Sequence, residues 1–192
     1  MSTWHTDLGR RVAILAAFIG AIWLVWIVNA AVFDGRLAAF GIQPRVPQGL
    51  PGIVLAPLIH GGINHLLANT GGLLIFGGLV MLRSERHFWT VTLAGIMFAG
   101  GAGIWLFGRP AIHVGASGIV FAYFGYLLFT GFFERRISSL LLSILVFVVW
   151  GPTLYGVLPT DQPVSWEGHV FGLIGGMLSA WVLAGRPFRG GI

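Results

Sequence analysis

Val114-Gly-Ala-Ser117-Gly118-Ile-Val-Phe-Ala-Tyr-Phe-Gly-Tyr-Leu-Leu-Phe-Thr-Gly-Phe-Phe133 runs for 20 residues without an Asp, Glu, Lys or Arg. A helix needs about 20 apolar residues to cross the hydrocarbon core of a bilayer. Five more stretches share this property: Val12–Phe33, Ile63–Leu82, Phe88–Phe107, Ile137–Leu158 and Gly168–Gly185, of 22, 20, 20, 22 and 18 residues. Backbone polar groups in lipid must bond within their own segment or within a closed barrel. The polar–apolar alternation of a membrane barrel is absent, so the spans read as helices. The predicted fold class is all-α: a polytopic membrane protein, a six-transmembrane-helix bundle forming one domain over residues 1–192.

Composition agrees. Hydrophobic residues make up 56% of the 192 and charged residues 9%, with a mean hydropathy of +0.88. A soluble domain is about 25% charged, so a water-soluble globule and a disordered chain are both excluded. The absence of cysteine excludes a disulfide scaffold and a zinc–thiolate centre. The net charge of +5 comes from 11 Arg, with no Lys, against six acids. On so apolar a chain this excess marks cytoplasmic loops rather than affinity for nucleic acid. The lipid bilayer is the expected surrounding. The 30 glycines fit close helix contacts in lipid.

The arginines give an orientation. With a cytoplasmic N-terminus, Arg10, Arg11, Arg83, Arg86, Arg135, Arg136, Arg186 and Arg189 lie inside, and Arg36, Arg45 and Arg109 lie outside. The positive-inside bias places both termini in the cytoplasm and reads Arg135-Arg136 as topogenic. Val28-Asn29-Ala30 weakly resembles a signal-peptide cleavage site, but the apolar run is longer than a usual h-region and reads as an uncleaved anchor. The loop Asp34–Gly62 carries Pro44, Pro47, Pro51 and Pro57, which prevent a long helix. Its apolar residues predict a compact element on, or dipping into, the outer leaflet. Trp4, Trp23, Trp26, Trp89, Trp105, Trp150, Trp166 and Trp181 read as lipid anchors or packing groups.

Polar side chains at membrane depth are costly and mark helix contacts or function. Spans two, four and six run from outside to inside. His65 and Asn69 are the third and seventh residues of span two, Ser117 the fourth of span four and His169 the second of span six. At 1.5 Å rise per residue, all four lie within roughly 10 Å of the outer boundary. Ser138, Ser139 and Ser143 begin span five at the cytoplasmic side, and Ser179 is in the inner half of span six. Ser117 is therefore the span serine that shares a level with both histidines.

That set can perform acyl transfer. A serine hydroxyl needs a neighbouring base; His169 can take its proton and return it to the leaving amine. His65 and Asn69, four residues apart on one helix face, can donate to the oxyanion with backbone N–H groups at the start of span four. Gly115 and Gly118 flank Ser117, while Gly168, Gly172 and Gly176 form a small-residue stripe beside His169, so the two backbones can approach closely. Glu167, two residues before His169, points away on a helix, and Asp161 lies in a loop. A Ser117–His169 dyad is the prediction. His113 and Glu167 are expected to be loop polar groups.

The motifs resemble those of the rhomboid intramembrane serine proteases in their minimal six-helix form. His60-Gly-Gly-Ile-Asn-His65-Leu-Leu-Ala-Asn69 is similar to the family's H-x4-H-x3-N of helix two. Gly115-Ala-Ser117-Gly118 is similar to its G-x-S-G of helix four, and Gly168-His169-Val-Phe-Gly172 to its helix-six block. The resemblance implies Ser117 as nucleophile, His169 as general base, and His65, Asn69 and the Ser117 N–H as oxyanion donors. It implies a structural role for His60, bracing the first loop, and no metal or organic cofactor. It implies transmembrane protein substrates cut in or near a membrane segment after a small residue. Span five and Pro159–Glu167 would resemble a mobile gate and cap, with Pro152 helping to bend that helix. Two positions depart from the pattern. No Trp-Arg pair occurs between Asp34 and Gly62, and Phe121 stands where Tyr is common, keeping a ring for His169 but not a hydroxyl.

The expected activity is serine endopeptidase, in a bacterial cytoplasmic membrane with the site near its outer face. A catalytically inactive rhomboid-like client-binding protein is the alternative; such relatives generally lose the serine or the histidine. A small transporter is disfavoured because no span carries a carboxylate or Arg and no halves match.

Overall fold

The computed structural model describes residues 3–184 of the chain, with the side chains of residues 3–6 excepted. Gly185, Arg186, Arg189 and the side chain of Trp4 lie outside the described residues. Six helices are long and apolar enough to cross a membrane. They are α1 (Thr3–Ala31), α2 (Ile63–Arg83), α3 (Glu85–Trp105), α4 (Ser117–Glu134), α5 (Ile137–Val157) and α6 (Trp166–Ala184). Among the described residues the only β feature is one isolated bridge between Ile42 and His113. The chain is an all-α, multi-pass membrane protein.

The boundaries shift from those expected. Helix α3 begins at Glu85 rather than Phe88, where the Ser84 side chain accepts the Arg86 N–H at 3.2 Å and caps the helix. Helix α4 begins at Ser117 rather than Val114, because Gly115 sits at φ +114° and breaks the regular backbone. Helices α2 and α3 widen to π-helical pitch over Leu73–Gly77 and Gly95–Trp105. Helix α5 is α-helical to Trp150 and tightens to 3₁₀ over Gly151–Val157. Pro152 has no N–H to continue the ladder there.

Helix α4 is the axis of the bundle. Most of its residues are buried, whereas α1 and α5 are buried along only a small part of their length. Tyr123, Phe124, Tyr126 and Leu127 of α4 are fully enclosed, with Phe88 of α3 stacked on Tyr123 at 5.3 Å. The Thr92 and Tyr123 hydroxyls bond at 2.5 Å, which satisfies both in a dry interior. Helix α6 lies against α4 without intervening side chains: Gly172 abuts the Gly118 carbonyl, Gly176 the Ala122 carbonyl, and Gly125 the Leu173 carbonyl. Small residues permit this approach, which brings dispersion and backbone contacts that lipid cannot supply.

The loop of residues 34–62 is compact, as its apolar content predicts. It folds into 3₁₀ turns and one short helix, Gly52–Leu55. Ile42 and His113 exchange backbone hydrogen bonds of 2.9 Å each way, and the Arg45 N–H donates to the Trp105 carbonyl at 2.9 Å. The Asn29 side chain accepts from the Leu37 N–H at 3.0 Å, fixing the exit from α1. The opposite end of the bundle holds a polar network. Arg83 makes a two-pronged pair with Glu134 at 2.6 and 2.7 Å, and Glu134 accepts from the Thr130 and Ser139 hydroxyls. Arg83 is thus a packing group joining α2 to α4, beyond the topological role that its position suggests.

Candidate active site

The backbone turn before α4 organises the site. Gly115 occupies the left-handed region, and a Cβ there would lie 2.5 Å from His65 Nε2 and 3.4 Å from Asn69 Nδ2. Glycine is required on both counts. The Gly115 N–H donates to the Ala56 carbonyl at 2.8 Å, tying the turn to the first loop. Ser117 opens α4, where the first backbone N–H groups have no helical partner.

His169 lies one turn into α6 and is 6% exposed. Its Nε2 is 2.9 Å from Ser117 Oγ, and its Nδ1 is 2.8 Å from the Gly156 carbonyl oxygen. Phe121, one turn beyond Ser117, stacks on the imidazole at 4.1 Å with the planes 9° apart. The ring of Phe121 thus packs on His169 as its position predicts.

Asn69 is 3% exposed, and its Nδ2 is buried without a hydrogen-bond partner among the described residues. An amide donor left unpaired at the Gly115–Ser117 turn is a group awaiting an acceptor. His65 is partly exposed one turn away. The four residues expected at a common depth come together here. Ser139 and Ser143 are at the far end, where Ser143 Oγ donates to the Leu127 carbonyl at 2.7 Å. Ser179 is bonded to the Gly175 carbonyl of its own helix at 2.8 Å. Gly118 and Gly172 form the contact between α4 and α6 directly beneath Ser117 and His169.

His60 is 2% exposed, packs against His65 with ring centroids 5.0 Å apart, and lies 3.5 Å from the Ala116 N–H through Nε2. Burial, and then the charge of His65, push its pKa down to about 4. The sign follows: the unfolded chain takes up a proton near 6.5, the folded protein only near 4, so acid favours unfolding. Stability is therefore expected to fall as pH drops from about 6.5 to about 4. In His60→Asn that part of the pH dependence should vanish. Thermal midpoints of the two proteins between pH 7 and 4 check it; parallel curves would remove His60 as the cause.

Two expected loop groups are instead buried in the fold. Glu167 is 3% exposed and accepts both the backbone N–H of Arg109 at 3.1 Å and its Nε at 2.9 Å. The other guanidinium nitrogens of Arg109 donate to the Thr160 and Val164 carbonyls at 2.8 and 2.5 Å. His113 is 4% exposed; its Nδ1 pairs with Ser165 Oγ at 2.7 Å and its Nε2 with the Arg109 carbonyl at 3.0 Å. The spacing argument that Glu167 does not face His169 holds, but solvent is not where it points. In the sequence Arg109 was legible only as one of the three arginines assigned to the outer side.

This clamp fastens residues 160–167 to the loop before α4. Arg109→Ala leaves the Glu167 carboxylate buried and unpaired, at an expected cost of about 1–3 kcal/mol given the partial exposure of Arg109. Arg109→Ala/Glu167→Gln should be less destabilised than Arg109→Ala alone. Thermal unfolding in detergent micelles decides it, and an unchanged midpoint in Arg109→Ala would count against the clamp.

A Rhomboid domain model matches residues 47–186. The chain is 34% identical over 180 residues to uncharacterized protein Rv1337 of Mycobacterium tuberculosis, covering 88% of this chain and 74% of that one. It is 27% identical over 187 residues to putative rhomboid protease YdcA of Bacillus subtilis, covering 93% and 90%. Rhomboid protease GluP of Bacillus subtilis is 32% identical over 187 residues, which span 92% of this chain and 35% of GluP. With six membrane-length helices and these matches along nearly its whole length, the chain belongs to the rhomboid family.

Proposed function

We propose that the chain is an intramembrane serine endopeptidase that cuts transmembrane segments of membrane-protein substrates with a Ser117–His169 dyad. Family membership and relatives named as rhomboid proteases support the protease activity. The observation that carries the finer reading is the 2.9 Å contact between Ser117 Oγ and His169 Nε2. A carbonyl oxygen only accepts, so Nδ1 carries the proton toward Gly156, and neutral Nε2 presents its lone pair to the Ser117 hydroxyl.

The chemistry then runs in two halves. Ser117 Oγ attacks the scissile carbonyl carbon while its proton passes to His169 Nε2. The oxyanion accepts from Asn69 Nδ2, His65 and the Ser117 backbone N–H. As the tetrahedral adduct collapses, the C–N bond breaks and Nε2–H protonates the leaving amine. Water then attacks the acyl ester, giving its proton to Nε2, and the ester oxygen recovers a proton as the acid is released. A cavity of about 20 Å³ beside Ser117, lined by His113, Gly118 and Ser165 among others, has room for one water.

The arginine distribution supports cytoplasmic termini, which puts the start of α4 and α6 near the outer face of a bacterial cytoplasmic membrane. Labelling with a fluorophosphonate probe tests the reading. Membranes containing the wild-type chain should label and should cleave a transmembrane reporter. Ser117→Ala should not label and should cleave about 10⁴-fold more slowly. Reporter cleavage by Ser117→Ala near the wild-type rate would overturn the assignment, and absence of both labelling and cleavage in the wild type would favour a client-binding protein instead.

A further inference from the structure

A serine–histidine pair usually needs a third group, one that holds the imidazole in a single tautomer and orientation. Here no carboxylate among the described residues bonds to His169. Glu167, the nearest in sequence, is held by Arg109. The group that does reach Nδ1 is a main-chain carbonyl, Gly156 O, at 2.8 Å.

Its position in the fold gives this contact a consequence. Gly156 belongs to the 3₁₀ turn Gly151–Val157 at the outer end of α5, a turn with no buried residue. Tyr155 beside it is 75% exposed and Leu158 53%. The inner half of α5 is pinned to α4: the Ser139 hydroxyl bonds to Glu134, and Ser143 bonds to both the Leu127 carbonyl and the Gly131 N–H. The outer turn has no such bonds to α4. Its hydrogen-bonded tie to the site is the contact of the Gly156 carbonyl with His169. Glycine is required for that seat, since a Cβ at 156 would lie 2.6 Å from Phe121 Cζ and 3.5 Å from His169 Nδ1.

We propose that the Gly156 carbonyl is the positioning third member of the site, so that His169 is competent as a base only while the outer turn of α5 is seated against Phe121. The proposal rests on the Ser117–His169 reading and deepens it. Phe121 confines the flat face of the imidazole, and Gly156 O fixes its edge. Together they set the Nδ1–H tautomer and aim Nε2 at Ser117 Oγ. When the turn lifts, the ring loses its orienting acceptor, and either nitrogen can carry the proton. A neutral carbonyl does this without placing a second charge in the membrane, where an unpaired carboxylate would be costly.

The test uses the full chain in proteoliposomes with a transmembrane reporter, and Ser117→Ala as the blank. In Gly156→Ala the new methyl displaces the carbonyl, and kcat should fall about 30-fold with KM within about 2-fold. Where Gly156→Ala fails to fold, a second variant carries the test. Replacing the Val157 residue by its α-hydroxy acid makes the Gly156 carbonyl an ester, a weaker acceptor, and leaves every side chain in place. Its kcat should fall about 5-fold at unchanged KM. Nitrogen-15 spectra of labelled histidine should show His169 protonated on Nδ1 in the wild type and a mixture of tautomers in Gly156→Ala. An ester variant with wild-type kcat, a loss confined to KM, or a wild-type His169 protonated on Nε2 would overturn the proposal. Cleavage by Ser117→Ala near the wild-type rate would instead overturn the nucleophile assignment beneath it.

Discussion

Ser117→Ala and His169→Ala are each expected to lower kcat on a transmembrane reporter by about 10⁴-fold, and the double variant to lose little more. The two groups act as one unit: without the hydroxyl, His169 has no proton to take, and without Nε2 the hydroxyl stays a poor nucleophile. The 2.9 Å contact makes that coupling direct. Residual turnover would come from the oxyanion donors, which polarise a bound carbonyl whichever partner is missing. Asn69→Ala removes one such donor and should cost about 10²-fold, without preventing fluorophosphonate labelling. Initial rates in detergent at saturating reporter check both statements. Additive losses, with the double variant near 10⁸-fold down, would mean that serine and histidine serve separate steps.

How far the sequence alone reaches can be seen residue by residue. Membrane depth is legible because helical rise converts sequence position into distance, and lipid forces the spans to be helical. Ser117, His169, His65 and Asn69 could be set at one level on that ground alone. Which faces meet was legible from the glycines: Gly172 and Gly176 are where α6 touches α4. The loops were not legible in this way. Glu167 was read by helical spacing, which excludes His169 as its partner but cannot supply Arg109, 58 residues upstream in a loop without periodicity. The Gly156 contact was further out of reach. Its acceptor is a main-chain oxygen, which every residue carries, and its location depends on α5 tightening to 3₁₀ after Trp150. The Arg83–Glu134 network shows a different limit. Charges at span ends read as topological markers, and nothing in their spacing shows that they close on one another across two helices.

Along the glycine stripe of α6, Gly172→Ala should be the methyl most damaging to turnover. Helical backbone accepts alanine readily, so propensity favours the substitution. The space does not: a Cβ at 172 would overlap the carbonyl oxygen of Gly118 and stand 3.3 Å from its Cα. Gly118 adjoins Ser117, and Gly172 lies three residues beyond His169, so relief must come from moving α6 off the start of α4. A displacement near 1 Å is expected to cost about 10²-fold in kcat, and the strained packing about 1–3 kcal/mol. Gly71→Ala is the matched control. It too is helical, and nothing lies within 4 Å of the added methyl, so activity and thermal midpoint should stay near wild type. Gly176→Ala meets the Ala122 carbonyl one turn deeper. It should lower the midpoint as much as Gly172→Ala and the rate less, because its displacement is applied farther from Ser117. Equal activity in Gly71→Ala and Gly172→Ala would mean that the two backbones are not in contact, and the reach from Ser117 to His169 would then need another cause. The order Gly172 below Gly176 below Gly71 in kcat, with the first two alike in stability, would show that the glycine stripe sets catalytic distance as well as holding the bundle together.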